Sequence, residues 1–468
     1  MNPETPAPSN NRWPRQIKFI IGNEAAERFS YYGMVSILMV YVTTVLEKSK
    51  DDAAFIIHGF KFINYFMPLL GAWVSDRFWG RYKTILWISL AYCAGHAVLA
   101  FGDFAGTKEA RTACLYGGLL LIAFGSGGIK PCVSAFLGDQ FRSDQRHLLQ
   151  RAYAAFYWSI NLGAFFSMLL IPQIKNHSWG WAFGVPGILM GLATFIFWLG
   201  TRHYVMVPPA QTTRAAGFFT VLMAAIKERQ PGKDFWAGAR AKFSDAEVQA
   251  AASVGPILSI FAMIPIFWAL FDQTHTTWVA QGEQMIAVDL MFNWKLDASA
   301  MQFINPLMVM ALVPVLTLLC YPMLGRFASP LKRMSTGFFL AGFSFVIVAW
   351  LQTRLDAGER LSILWQIVPY LVLTTSEVLI STTGLEFAFR EAAPSMKSTI
   401  MGFWNLSVAM GNLVVMAITK ALGTTKGDSS VTPERFMLYA GMTFVAAILF
   451  TIIAAAYKYR DTSAAQGK

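Results

Sequence analysis

Apolar residues run along this chain in long continuous stretches rather than in alternation. Twelve stretches have helical length: 17–46, 53–75, 83–103, 113–138, 149–173, 182–201, 256–280, 300–323, 333–353, 363–388, 396–422 and 432–457. A hydrocarbon core of ~30 Å needs about 20 apolar residues of helix, so each stretch is long enough to span a bilayer. Continuous runs exclude the period-two pattern of a membrane β-barrel. Between the sixth and seventh stretches, over 202–255, the pattern changes. The one apolar run there, 215–226, is too short to span. Pro208-Pro209 and Pro231-Gly232 interrupt the connector, and Asp234 to Ser253 has helical spacing with charges on one side. This reads as a cytoplasmic connector with one or two interfacial amphipathic helices. The expected organisation is a six-span bundle over 1–201, the connector over 202–255 and a second six-span bundle over 256–468. The fold class is all-α, a polytopic membrane protein.

Composition agrees. Of 468 residues, 55% are hydrophobic and 14% charged, and mean hydropathy is +0.45. Soluble proteins carry about 25% charged residues, so a soluble enzyme, a secreted disulfide scaffold and a disordered chain are excluded. The net charge of +11 reads as loop bias in a chain whose partner is the lipid bilayer, not nucleic acid. With the N-terminus inside, 24 of the 38 Lys and Arg fall in inside segments and 11 in outside loops. Arg28, Lys61 and Lys130 remain within spans. The bias places both termini in the cytoplasm of a multi-pass plasma (inner) membrane protein. Cys93, Cys114, Cys132 and Cys320 all sit in apolar stretches without C-x-x-C spacing, so neither a disulfide nor a metal is expected. The first 16 residues are polar and Pro-rich, with no apolar core of a signal peptide.

Ionisable groups inside spans cost roughly 2.5–3.5 kcal/mol each and mark functional positions. In the first span Glu24, Glu27, Arg28 and Tyr31 share an arc of about 100° at ~100° per residue. Two carboxylates beside one guanidinium let a proton and an anionic ligand compete for the same cation. In the second span His58, Lys61 and Tyr65 share an arc of about 60°, and a histidine suits proton sensing. His96, alone in the third span, reads as structural. In the fourth span Lys130 precedes a proline within F-G-S-G-G-I-K-P. The mid-membrane acids of the other half are Asp272 and Glu377, and a Lys130–Glu377 bridge across the halves is the expected pairing. Asn161, Asn305 and Ser381 are neutral polar groups at similar depth, and Trp268 and Trp404 are candidates for apolar pockets. No H-E-x-x-H, G-x-S-x-G or nucleotide-binding motif is present, so no enzyme activity is expected.

These residues also carry a family resemblance. E-A-A-E-R-F-S-Y-Y (24–32) resembles the E-x-x-E-R-F-x-Y-Y signature of the proton-dependent oligopeptide transporters of the major facilitator superfamily. G-A-W-V-S-D-R-F-W-G-R-Y-K (71–83) is similar to the superfamily's loop between the second and third helices. G-G-I-K-P, D-Q-F, F-Y-W-S-I-N-L-G (156–163), F-W-A-L-F-D-Q (267–273), I-N-P (304–306) and S-E-V-L-I-S-T-T-G-L (376–385) resemble further signatures. The connector is too short for the two extra helices common in bacterial members, and His58 with Tyr65 and P-L-L-G-A is similar to the animal intestinal member.

The resemblance implies two six-helix bundles around a central site and proton-coupled symport of di- and tripeptides, with protons as coupling ion and no cofactor. It implies that Glu24, Glu27, Arg28, His58, Asp272 and Glu377 couple protons. Arg28 and Lys130 would meet the peptide carboxylate and Glu377 the amino terminus. Asn161 and Asn305 would bond its backbone, and Tyr32, Tyr65, Trp268 and Trp404 would shape side-chain pockets near Ser381. A proton-coupled carrier of nitrate or a glycoside is the alternative on this scaffold. One departure stands out: many relatives have arginine where this chain has Val35, so Asp272 lacks its usual partner and His58 or Lys61 is left to replace it.

Overall fold

A computed structural model describes residues 13–209, 217–229, 232–291, 294–422 and 431–459. Helices occupy all twelve apolar stretches. The first six are Ile17–Val40, Lys50–Val74, Gly80–Phe101, Lys108–Asp139, Leu149–Lys175 and Trp179–Leu199. The ninth, eleventh and twelfth are Pro330–Asp356, Lys397–Leu422 and Pro433–Ala456. The second, fourth, sixth and twelfth are capped by Ser49, Thr107, Ser178 and Thr432, whose side chains accept from backbone N–H groups that the first turn leaves unbonded.

Three segments are interrupted. The seventh consists of Val254–Phe261, Ile264–Phe271 and Thr277–Gly282, with a tight 3₁₀ turn at Asp272–His275. It bends by 46° between the pieces ending at Phe261 and starting at Ile264. The eighth has a widened π turn at Val315–Cys320, and the tenth has one at Val378–Thr382, directly after Glu377. Each break lets a stretch of backbone depart from the α-helical repeat, a feature that recurs at functional sites. Among the described residues, nine helical stretches are apolar and long enough to cross a membrane, ten with the bent pair. One of them, Lys50–Phe104, contains both the second and third helices. The first helix carries Glu24, Glu27 and Arg28, so apolarity alone does not single it out.

The connector differs in detail from its sequence pattern. The stretch 234–253 is not one amphipathic helix: it divides into Ala237–Arg240 and Asp245–Ala252. Ala241 ends the first, and Ser244 starts the second through a reciprocal capping box with Glu247. Phe218–Lys227 forms a separate helix, and residues 210–216 and 230–231 lie outside the described residues.

Small residues set how closely the helices approach. A Cβ at Gly71 would lie 2.1 Å from the Gly128 carbonyl oxygen, and one at Gly127 would lie 2.3 Å from that of Asn64. The second and fourth helices therefore pack backbone to backbone, which fixes Lys130 beside the second helix. The two sets of six helices meet where the second helix packs on the eleventh and the fifth on the start of the eighth. Polar contacts join them toward the outer end, in the orientation given by the Lys and Arg count. Lys175 Nζ lies 2.7 Å from Asp297, Arg435 Nη1 lies 2.8 Å from Asp51, and Gln302 Nε2 donates to the Ser36 carbonyl at 2.9 Å. A two-stranded hairpin, Val288–Asp289 with Lys295–Leu296, covers this end and is held by Gln173.

Gly71→Ala is expected to cost about 1–3 kcal/mol through overpacking, read as a lowered thermal unfolding midpoint in detergent. Gly191→Ala, where an added Cβ meets nothing within 4 Å, is the control. Equal midpoints for the two variants would show that the helices have room to give.

Candidate functional site

The first helix brings its three charges together as its spacing requires. Arg28 Nε donates to Glu24 Oε1 at 2.8 Å and lies 2.6 Å from Glu27 Oε2. Ser126 Oγ, from the fourth helix, donates to the other Glu27 oxygen at 2.6 Å. The single Nε–H points at Glu24, so Glu27 Oε2 is buried without a hydrogen-bond donor. That oxygen is an open acceptor beside a cation.

A second buried network crosses between the two sets of helices. Lys61 Nζ lies 2.6 Å from Asp272 Oδ1, and both side chains are almost fully buried. Asn412 Nδ2, from the eleventh helix, donates to Asp272 Oδ2 at 2.7 Å. This fixes the amide, so Asn412 Oδ1 faces His58 Nδ1 at 2.7 Å and accepts from it. In the neutral ring His58 Nε2 is then the acceptor for Thr276 Oγ1 at 3.1 Å. Lys61 is thus the partner of Asp272, and His58 reaches it only through Asn412. Val35 is completely buried and adds no charge.

Two of the cavities among the described residues are lined by the polar and charged groups of the spans. The central one, about 160 Å³, is lined by Tyr32, Tyr65, Asn161, Trp268, Asp272, Asn305, Glu377 and Ser381, together with Tyr31, Tyr157, His275 and Gln302. A larger vestibule, about 750 Å³, is lined by Pro68, Asp76, Arg81, Lys130, Tyr153, Phe389, Lys397 and Asn405. Lys130 stands where the two meet. Lys130 lines the vestibule, while its Nζ sits 4.2 Å from the ring centre of Tyr65 and 4.7 Å from that of Tyr31. Such contacts stabilise a cation by roughly 0.5–2 kcal/mol. Lys130 Nζ has no hydrogen-bond partner among the described residues.

The expected Lys130–Glu377 bridge is therefore not made in this structure. Glu377 Oε2 instead accepts from Asn305 Nδ2 at 2.7 Å, and that same amide donates to Thr374 at 3.1 Å. The physical reason is the division between the cavities: the lysine is held by aromatic faces on the first and second helices, the glutamate by an amide on the eighth. Asn161 Nδ2 donates to its own helix at Tyr157. Trp268 lines the central cavity with Nε1 buried and unpartnered. Trp404 is not among the lining residues; it packs on Phe261, Trp268 and the face of Gly384. Arg28, Glu24 and Glu27 line neither cavity.

Sequence reading missed Asn412, Thr276, His275 and Gln302. Gln302 Oε1 accepts from His275 Nδ1 at 2.5 Å while its amide holds Ser36 across the outer end. Their available signal was an uncharged polar side chain within an apolar run, the kind of group that joins helices by hydrogen bonds.

Removing Lys61 alone leaves a buried carboxylate uncompensated, at about 3–5 kcal/mol. Lys61→Met is accordingly expected to lower the unfolding midpoint more than Lys61→Met combined with Asp272→Leu. Additive losses would show that the two groups do not act as a pair.

The comparisons with known proteins agree with this geometry. The family model described as "PTR2: POT family" matches residues 82–432. "Peptide transporter family 1" of Drosophila melanogaster is 37% identical over 361 residues, covering 74% of this chain and 48% of its own length. "Solute carrier family 15 member 2" of Mus musculus is 34% identical over 374 residues, covering 75% of this chain and 51% of its own. The chain spans about half the length of the curated relatives it matches. Among solved structures, the in meso crystal structure of the POT family transporter PepTSo is 39% identical with a TM-score of 0.87, covering 95% of this chain and 99% of that one. An auto inhibited POT family peptide transporter is 38% identical with the same TM-score, covering 96% and 98%. A helical fold shared across nearly the whole of these transporters, with the first-helix charge cluster in place, shows that the chain belongs to the POT family of membrane transporters and has its major facilitator fold.

Proposed function

We propose that the chain carries di- and tripeptides across the plasma membrane in symport with protons, by alternating access of a central site to the two sides. One observation carries the reading. Two opposite charges without ionic partners stand on different walls: the Lys130 ammonium on the fourth helix, and Glu377, hydrogen-bonded to a neutral amide, on the tenth. A zwitterion of the right length satisfies both, its carboxylate drawing Lys130 off the tyrosine faces and its ammonium replacing the Asn305 contact. On this reading a simple anion satisfies one charge only, and a free amino acid is expected not to bridge the two. Asn161 and Trp268 Nε1 supply polar contacts between the ends, while Tyr32, Tyr65 and Ser381 leave room for varied side chains.

Proton coupling rests on Glu27 in this account. Binding of a proton at its open oxygen weakens the grip on Arg28, and the His58–Asn412–Asp272 chain links a second titratable group to the outer closure. One proton crossing 100 mV supplies about 2.3 kcal/mol, roughly a 50-fold gradient. Both termini lie on the cytoplasmic side in this orientation.

The test is uptake of labelled dialanine by proteoliposomes with and without an inward proton gradient. Gradient-driven accumulation, competed by trialanine but not by alanine, is expected. Gradient-independent uptake, or competition by alanine alone, would remove the reading. Glu27→Gln is expected to lose accumulation while keeping peptide counterflow; accumulation at the wild-type level would exclude Glu27 from coupling.

A further inference from the structure

The connector helix Phe218–Lys227 has two apolar faces, and the fold uses one. Phe218, Val221 and Ala225 are buried within an arc of about 60°. Phe218 meets Phe403 of the eleventh helix edge to face at 5.7 Å between ring centres. On another side Phe219, Met223 and Ile226 share a second arc of about 60° and are 64%, 47% and 50% exposed. Phe219 touches Phe403 with part of its ring, and the rest of this stripe is uncovered.

Depth identifies what covers it. Phe403 lies six residues inside the eleventh helix, which starts at Lys397, so the contact is about 9 Å from that helix end at 1.5 Å per residue. With the start of the eleventh helix taken as the membrane surface, a helix lying there is at the boundary between headgroups and acyl chains, the level at which amphipathic helices bind membranes. Charge agrees with position. Lys227, Arg229 and Lys233 follow the stripe and have no ion-pair partner among the described residues, whereas Arg240 and Lys242 are paired with Asp234 and Glu228. The other end of the connector is held to the first set of helices, where Tyr204 is buried among Tyr82, Phe136 and Phe197.

We propose that Phe219, Met223 and Ile226 dock into the leaflet on the connector side, with Lys227, Arg229 and Lys233 on anionic phospholipid headgroups, and that this docking braces the eleventh helix at the vestibule. The brace acts through Phe403, whose neighbours Met401, Gly402 and Asn405 line the vestibule. Lipid charge thereby sets how readily that wall of the vestibule moves. The inference needs the chain to cross a membrane and is independent of which solute it carries.

The experiment uses the full chain with its four cysteines replaced and a fluorescent label at Met223→Cys. The chain is reconstituted in vesicles of phosphatidylcholine with or without phosphatidylglycerol. Quenching by doxyl-labelled lipid is expected at position 223 and absent for a label at Lys242→Cys. Replacing Lys227, Arg229 and Lys233 by Gln is expected to lower the preference for phosphatidylglycerol, by about fivefold per charge. Phe219→Ser with Met223→Ser and Ile226→Ser is expected to abolish the dependence of uptake rate on phosphatidylglycerol without abolishing uptake. A label at 223 that is open to aqueous iodide and untouched by doxyl lipid would overturn the proposal and leave the stripe to a protein partner or a second copy. Quenching that is equal in neutral and anionic vesicles would overturn the part assigned to charge.

Discussion

The Lys61–Asp272 ion pair is the contact on which the arrangement depends. It joins the second helix to the seventh with both side chains almost fully buried, where neither charge is tolerated without the other. Asp272 sits on the 3₁₀ turn that interrupts the seventh segment, so a break in regular backbone delivers its carboxylate to the lysine. Asn412 satisfies the second oxygen and passes the constraint to His58 and Thr276. One pair thus orders side chains on three segments, the second, seventh and eleventh, and draws the two sets of helices together. Lys175–Asp297, Arg435–Asp51 and Gln302–Ser36 add to the same closure nearer the surface.

Deeper in the chain the design is the opposite. Lys130 rests on the faces of Tyr31 and Tyr65, and Glu377 on the amide of Asn305, so these two charges are held by neutral groups rather than by each other. The first-helix cluster lies between these regimes: Arg28 is shared by two carboxylates, and one Glu27 oxygen has no donor. Locked charges at one end and available charges at the centre suit the proposed alternating access, in which closure of one side is separable from occupation of the site.

The spans were legible because continuous apolar runs have one stable solution in a bilayer, a helix with every backbone bond made internally. The first-helix constellation was legible too, since helical periodicity alone places Glu24, Glu27 and Arg28 on one face. Breaks within spans were not: the π turn after Glu377 and the 3₁₀ turn at Asp272 arise from tertiary packing, and local composition does not mark them. Pairing across the two halves was only half readable. With no cation at Val35, two candidates remained for Asp272, because both His58 and Lys61 lie on one face of the second helix. Distance decides for Lys61, and Asn412, uncharged and unremarked in the sequence, accounts for the position of His58. Lys130 and Glu377 were matched by charge, yet charge says nothing about the aromatic and amide groups that hold them apart.

The most direct test of the closure is the distance between its two sides at the outer end. Spin labels at Glu109→Cys and Arg360→Cys, exposed positions on opposite halves, in a chain with its native cysteines replaced, report it by pulsed electron paramagnetic resonance in liposomes. With Asp272 intact, a single short-distance population is expected. Asp272→Asn removes the charge that Lys61 holds while keeping the side-chain shape, and a longer-distance population should then appear. Distance distributions that are the same with and without the Asp272 charge would contradict the claim that this ion pair holds the outer end closed.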